Sequence, residues 1–481
     1  MPHRLPDALL HRLSALMALH FGLHFPENRW RELERGLVSA AQEFDRGDVE
    51  SCLEWILSSP LTREQTEILA SHLTVGETYF FREHSVFAAL EHRLLPDLIQ
   101  SRRASGKRLR IWSTGCSTGE EPYSIAILLH RLLGAEEREW NLALLATDIN
   151  FCALRRAAEG IYREWSFRNT PDELKEKYFC KVGKNRYAIL PSIREKVVFA
   201  HHNLMTDSYP SILNNTNAMD IILCRNVLMY FTPEGTAGAL RKFHHCLLDG
   251  GWLVTSAVEA SAIPFPGFSA SDAAGVPVLR KDSSVHQALG GVGSNEMLRT
   301  MPWGEPLPPD RPVPFDDGAE RAAGQEWFEK AVPTPPAEDS AVQSLQQPYR
   351  SGDAESLARS AKLYADQGDL AEALDYCRQA IALNRLDPER HYLLAAILQE
   401  QGLLEEAAAA LKRTLYLDPG FVLAHVALAH LAKGRGNARE AQKYVEHALD
   451  LLRSYPREAV VPRSEGLTAG RLMELIRTLG P

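Results

Sequence analysis

The sequence predicts an α/β fold with all-helical segments at both ends, and three observations predict it. From about 107 to 282, apolar strands alternate with amphipathic helices, the pattern of a parallel, doubly wound sheet. From 1 to about 75, apolar residues recur at helical spacing between short turns. After 350, small residues return with a fixed period.

Residues 1–75 are therefore assigned to a helical domain. "LLHRLSALMALHFGL" and "NRWRELERGLVSAAQEF" each place an apolar stripe on one helix face. Arg29, Arg31 and Arg35 recur on the second, where Glu32 and Glu34 dilute the charge. Residues 76–282 form the sheet domain. "RLRIWSTG" is a strand followed by the helix "EEPYSIAILLHRLLG". "NLALLATDIN" and "CALRRAAEGIY" are the next pair, and "AMDIILCRNV", "PEGTAGALRKFHHCLLDGG" and "GWLVTSA" complete the alternation. Between these units, "YFCKVGKNRYAILPSIREKVVFAHHNL" predicts a small β-hairpin subdomain at about 178–199, turning at Gly183-Lys184-Asn185.

Residues 283–350 hold ten of the 28 prolines and are expected to be a linker without fixed structure. "EWFEKAV" is a candidate short docking helix within it. The final segment, 351–481, is periodic. Gly368, Gly402 and Gly436 are spaced 34 apart, as are Ala373, Ala407 and Ala441. A helix–turn–helix unit of that length resembles the tetratricopeptide repeat. Its small residues let paired helices approach closely, and its glycine permits the turn. Three repeats are expected, with "GLTAGRLMELIRTLG" as a capping helix over the last apolar face. Pro388 falls three places beyond the position that Pro419 marks in the next repeat, which predicts a longer second helix in the first repeat. Such an array implies a protein or peptide ligand on its concave face.

The net charge of -9 argues against nucleic acid or an anionic membrane surface as a bulk partner. No run of 18 apolar residues appears, so no membrane insertion is expected. The N-terminus lacks the apolar core and cleavage site of a signal peptide. Seven scattered cysteines without a CxxC pair point to a reduced, cytoplasmic protein with no zinc site.

Three loops carry the chemistry. "IWSTGCSTGEEP" follows the first strand, so a ligand can lie close to its backbone at the carboxyl edge of the sheet. It is neither GxGxxG nor a P-loop. Glu120 and Glu121 stand where a phosphate would dock, which suits a cationic ligand instead. S-adenosylmethionine, with a sulfonium and an ammonium and no phosphate, has that character. Asp148 ends the second strand, where an acid can accept hydrogen bonds from ribose hydroxyls or cap the next helix. Arg225 and Asn226 break the strand "DIILC", and Tyr230 follows four residues after Asn226.

"VGETYFFRE", "STGCSTGEEPYSIAI", "ATDIN", "HHNL" and "CRNVLMYF" occur in that order. Together they resemble the CheR family, chemotaxis protein methyltransferases that esterify glutamate side chains on bacterial chemoreceptors. The resemblance covers about 10–282 and implies a Rossmann-like methyltransferase domain with S-adenosylmethionine as cofactor. It implies that Thr78 and Arg82 contact the cofactor, with Arg82 also catalytic or orienting the substrate. It implies that Glu121 meets the cofactor's amino end and Asp148 its ribose. Asn203 and Leu204 are implied to line the adenine, and Asn226 and Val227 to follow the fourth strand into the site. Tyr230 is implied to stand near the transferred methyl. Gly76 replaces an asparagine frequent in the family, so any contact there falls to its backbone. The family's "GHSE" is reduced here to "SAVE", which keeps Glu259. The implied partner is the helical cytoplasmic region of a methyl-accepting chemoreceptor. A methyltransferase acting on another protein or a small carboxylate, and a non-catalytic cofactor-binding scaffold, are the alternatives.

Overall fold

The computed structural model describes residues 5–281 and 354–478, apart from 105, 274, 458 and 465–467. The expected linker at 283–350, with its "EWFEKAV" segment, lies outside the described residues.

Among the described residues there are ten strands: β1 (Arg108–Thr114), β2 (Asn141–Asp148), β3 (Ile161–Arg163), β4 (Phe179–Gly183), β5 (Arg186–Ile189), β6 (Val197–His201), β7 (Met219–Cys224), β8 (Leu247–Val254), β9 (Phe268–Ala273) and β10 (Val276–Lys281). Seven of them form one sheet in the order β6-β2-β1-β7-β8-β10-β9. The first five are parallel, and β10 runs antiparallel to both β8 and β9. The expected all-parallel sheet thus acquires an antiparallel edge. Only residues 274 and 275 join β9 to β10, too few for the crossover that a parallel pair requires.

Side chains alternate between two core layers. Ile111, Ile221 and Leu223 pack with the helix Glu120–Leu133, whereas Trp112, Ile222 and Leu253 pack with the helix Pro233–Cys246. This is a doubly wound sheet. The predicted hairpin is present as β4 and β5, and β3 pairs with the other side of β5. The subdomain ends earlier than expected. The stretch from Val197 is β6, which pairs in parallel with β2. Its alternating pattern fits either sheet, and the turn of helix Pro191–Arg194 carries it away from the hairpin.

The N-terminal helices Asp7–Phe21, Trp30–Glu43, Val49–Leu57 and Arg63–Leu73 enclose their own core of Leu13, Leu33, Leu37, Leu53 and Ile56. Gly22, at φ 72°, ends the first helix in the left-handed region that glycine adopts most readily. The chain then enters the sheet domain's surface, where Leu23 bridges antiparallel to Phe231.

In the C-terminal segment, three helix pairs follow the predicted period. Their first helices begin at Ala354, Pro388 and Val422. The second helices Leu370–Leu383 and Leu404–Leu417 are equal in length, so the expected extension does not occur. Pro388 instead opens the next helix behind an Asp387 cap, a position where the missing N–H costs nothing. The helix Ala469–Thr478 packs Leu472 and Ile476 against Ala448 and Leu452.

The array docks on the amino-terminal ends of the strands. Gly368, in the first turn, lies so close to Ala218 that a Cβ would stand 2.8 Å from it. Asp366 accepts the Ile212 N–H at 2.6 Å, and Ile212 packs with Ala361, Ala365 and Ile397. Glu400, at the second turn, accepts from Arg110 (2.6 and 2.5 Å) and Arg108 (2.8 Å) on β1. Arg110 is buried, and burial lowers its pKa while Glu400 opposes that shift. Its remaining donors reach the carbonyls of Asn215 and Asn217. Removing one partner of a buried pair leaves an uncompensated charge. Glu400→Ala is therefore expected to cost about 3–5 kcal/mol of stability. Glu405→Ala, which removes the exposed partner of Arg435, should cost under about 1 kcal/mol. Denaturant unfolding of the two variants measures the contrast.

Candidate active site

At the opposite, carboxyl edge of the sheet is a cavity open to solvent. Gly76, Gly115, Asp148, Asn203, Leu204, Asn226, Val227 and Tyr230 are among the residues that line it. Seven of these are implied site residues, and Gly115 belongs to the small-residue loop. The chain passes close at Gly115: at φ 66°, a Cβ there would stand 2.4 Å from the Val227 side chain. Asp148 receives the N–H groups of Ser117 and Asn150, both at 2.7 Å. The cap of the following helix is Asn150, which accepts from Ala153 N–H. Burial raises the Asp148 pKa, and its backbone donors oppose the rise. The Gly76 side contributes its backbone carbonyl, which accepts the Ser117 hydroxyl at 3.0 Å.

Asn203 is committed to structure. Its amide donates to the His20 carbonyl at 2.7 Å and its side-chain oxygen accepts the Met205 N–H. His202 beside it is buried against Trp112 and Tyr209, and desolvation lowers its pKa to about 4. Tyr230 is half-buried, and desolvation raises its pKa against the opposing pull of Arg29 and Arg82.

The cavity does not reach Thr78, Arg82 or Glu121. The loop glutamates also differ from the reading of two free carboxylates awaiting a cation. Glu121 is held by Arg225 at 2.8 Å and by the Ser113 hydroxyl at 2.7 Å. Glu120 is buried between the Thr118 and Ser166 hydroxyls, and desolvation raises its pKa. Arg225 is the reason for the first: almost fully buried itself, it draws in Glu121, Glu83 and the Arg82 carbonyl. Arg82 donates to the Glu77 carbonyl at 2.6 Å. The pair between Thr78 and Arg82 anchors the stretch. Phe80 stacks on Phe167 and meets Tyr162 and Phe179 edge-on, and Phe81 packs on Phe87.

The N-terminal domain lines the cavity too, with residues that the sequence reading did not single out as site residues. Phe21, Leu23, His24, Phe25 and Arg29 all line it. His24 N–H donates to the Tyr230 carbonyl at 2.8 Å, and the Arg29 guanidinium lies 5.6 Å from the Tyr230 ring centre. A signal was present in "HFGLHFPEN": a glycine stop followed by alternating apolar and polar residues ahead of a proline.

The family described as "CheR methyltransferase, SAM binding domain" matches residues 76–261, and "Tetratricopeptide repeat" matches 364–420. A chemotaxis protein methyltransferase of Borreliella burgdorferi is 30% identical over 246 residues, covering 51% of this chain and 85% of that protein. The chain belongs to the CheR family. An uncharacterized 104.1 kDa protein of Rhodobacter capsulatus is 32% identical over 257 residues, which are 53% of this chain and only 26% of that protein. The crystal structure of MamA is 26% identical, covers 21% of this chain and 60% of that chain, and has a TM-score of 0.21, too low to bear on the fold.

The CheR domain makes this chain an S-adenosylmethionine-dependent methyltransferase. The lining suits that cofactor: an acid at a strand end, a close backbone approach at Gly115, and apolar Leu204 and Val227 for a flat ring. No helix among the described residues is long and apolar enough to cross a membrane, and none of their side-chain clusters could hold a metal ion. If Asp148 accepts from the ribose, as the resemblance implies, Asp148→Asn should weaken cofactor binding by about 10- to 100-fold, the loss of one or two charge-assisted hydrogen bonds. Because burial raises the Asp148 pKa, affinity should fall as pH is lowered through that raised value and be constant above it. Titration calorimetry across pH, on wild type and variant, checks both.

Proposed function

We propose that the protein esterifies glutamate side chains on the cytoplasmic helices of a methyl-accepting chemoreceptor, within a chemosensory pathway. The observation that carries this reading is the seam between the N-terminal helices and the Asn226–Phe231 turn. It brings Arg29 and Tyr230 together at the cavity. The chemotaxis methyltransferases among its relatives support the same substrate class.

When bound, S-adenosylmethionine supplies an electrophilic methyl group. A glutamate carboxylate is already ionised at neutral pH, with a reference pKa of about 4.3, so no general base is required. The protein's task is positioning. Tyr230 keeps its proton, because burial raises its pKa, and so serves as a hydrogen-bond donor. Arg82 is the proposed orienter of the acceptor carboxylate: it exchanges the Glu77 carbonyl for a bidentate pair. Arg29 is a second cation beside the same tyrosine.

The tetratricopeptide array is proposed to hold a protein or peptide ligand. Its first two turns are taken by the sheet domain, while the first helices of the first two repeats touch each other directly.

Membranes carrying the receptor, incubated with methyl-tritiated S-adenosylmethionine, should yield label released as volatile methanol at high pH. Base-stable label would overturn the ester reading. Arg82→Ala should lower methyl transfer by about 100-fold, about 2.7 kcal/mol of transition-state stabilisation, with cofactor affinity within twofold of wild type. Single-turnover assays and calorimetry separate the two.

A further inference from the structure

We propose that Glu259 is a positioning residue for the cavity wall and the buried counter-charge for the cofactor's sulfonium. It is fully buried, at 0% exposure. One carboxylate oxygen accepts the N–H groups of Val227 (2.8 Å) and Met229 (3.3 Å). The other accepts the N–H groups of Asn226 (2.9 Å) and Ser256 (3.0 Å) and the Ser256 hydroxyl (2.7 Å). Four of these five donors are backbone N–H groups, which cannot accept a proton in return.

Two consequences follow from this arrangement. First, the carboxylate fixes the turn that carries Asn226, Val227 and Tyr230 into the cavity. Asn226 sits at φ 57°, in the left-handed region that asparagine adopts more readily than most non-glycine residues. Glu259 holds that turn from two directions: it is tied to Asn226 on one side and, through its capping box with Ser256, to the helix Ala257–Ala262 on the other. Second, the charge has no cationic partner. Among the described residues, every donor on Glu259 is neutral. A buried charge is costly unless paired. The wall it supports faces the cavity, and its field reaches the Tyr230 hydroxyl, where it opposes ionisation. S-adenosylmethionine brings one net positive charge to that cavity, and S-adenosylhomocysteine brings none.

The inference rests on the cofactor assignment, and one experiment separates the two. Both ligands are titrated into wild type, Glu259→Gln and Glu259→Asp, each checked for folding by circular dichroism. Failure of wild type to bind either ligand would sink the cofactor assignment itself. The proposal expects Glu259→Gln to weaken S-adenosylmethionine about tenfold more than S-adenosylhomocysteine. It expects Glu259→Asp, which keeps the charge on a shorter stem, to weaken both ligands while holding their ratio within twofold of wild type. Equal losses in Glu259→Gln would mean a purely structural role, and unchanged binding would leave Glu259 no role at all. Should Glu259→Gln fail to fold, the Asp variant decides alone: a ratio that shifts toward S-adenosylhomocysteine by more than twofold overturns the proposal.

Discussion

The parallel run of β6, β2, β1, β7 and β8 is the constraint on which the rest depends. Parallel strands all end on one edge, so the loops after β1, β2, β6 and β7 must converge there. Those strand ends and loops hold Gly115, Asp148, Asn203 and Asn226, which are far apart in the chain and together in the cavity. The same rule makes the other edge a row of strand starts. Arg108, Arg110 and Asp220 stand in that row, and Glu400 from the second repeat meets its two arginines. One polarity thus gives the sheet a face for the cofactor and a face for the repeats.

Desolvation sets how charges behave at both edges. Arg110 is stabilised by a carboxylate that arrives from 290 residues away. Asp148 and Glu259 are held by backbone N–H groups instead. The difference matters chemically. A carboxylate neutralised by arginine, as Glu121 is, has little field left for a ligand. One satisfied only by neutral donors keeps its charge available to whatever enters the cavity.

Much of this was legible in the chain, for identifiable reasons. The strands of the sheet are continuous apolar runs that stop at small or polar residues, so "LLATDIN" and "DIILCRN" announce both a strand and a site. The repeats are legible because close helix packing demands Ala at 361, 395 and 429 and at 373, 407 and 441. Three things were not legible. The fate of Glu121 depends on Arg225, a residue about a hundred positions later whose side chain turns inward. β6 has an alternation that suits a hairpin as well as a sheet edge, and only tertiary pairing decides. The share of the cavity built by His24, Phe25 and Arg29 follows the antiparallel bridge between Leu23 and Phe231; "HFGLHFPEN" signals an extended segment, but no local pattern encodes its partner.

The seating of the repeats on strand starts has a spatial consequence. On the proposed function, a protein gripped by the array and a receptor helix presented to the cavity would approach opposite ends of the same sheet, so neither would exclude the other. Such a molecule would be bivalent: held by one end, it would sample acceptors near its anchor at an effective concentration set by geometry and not by its abundance in solution. The buried Arg110–Glu400 contact and the Asp366–Ile212 hydrogen bond seat the repeats on that edge of the sheet.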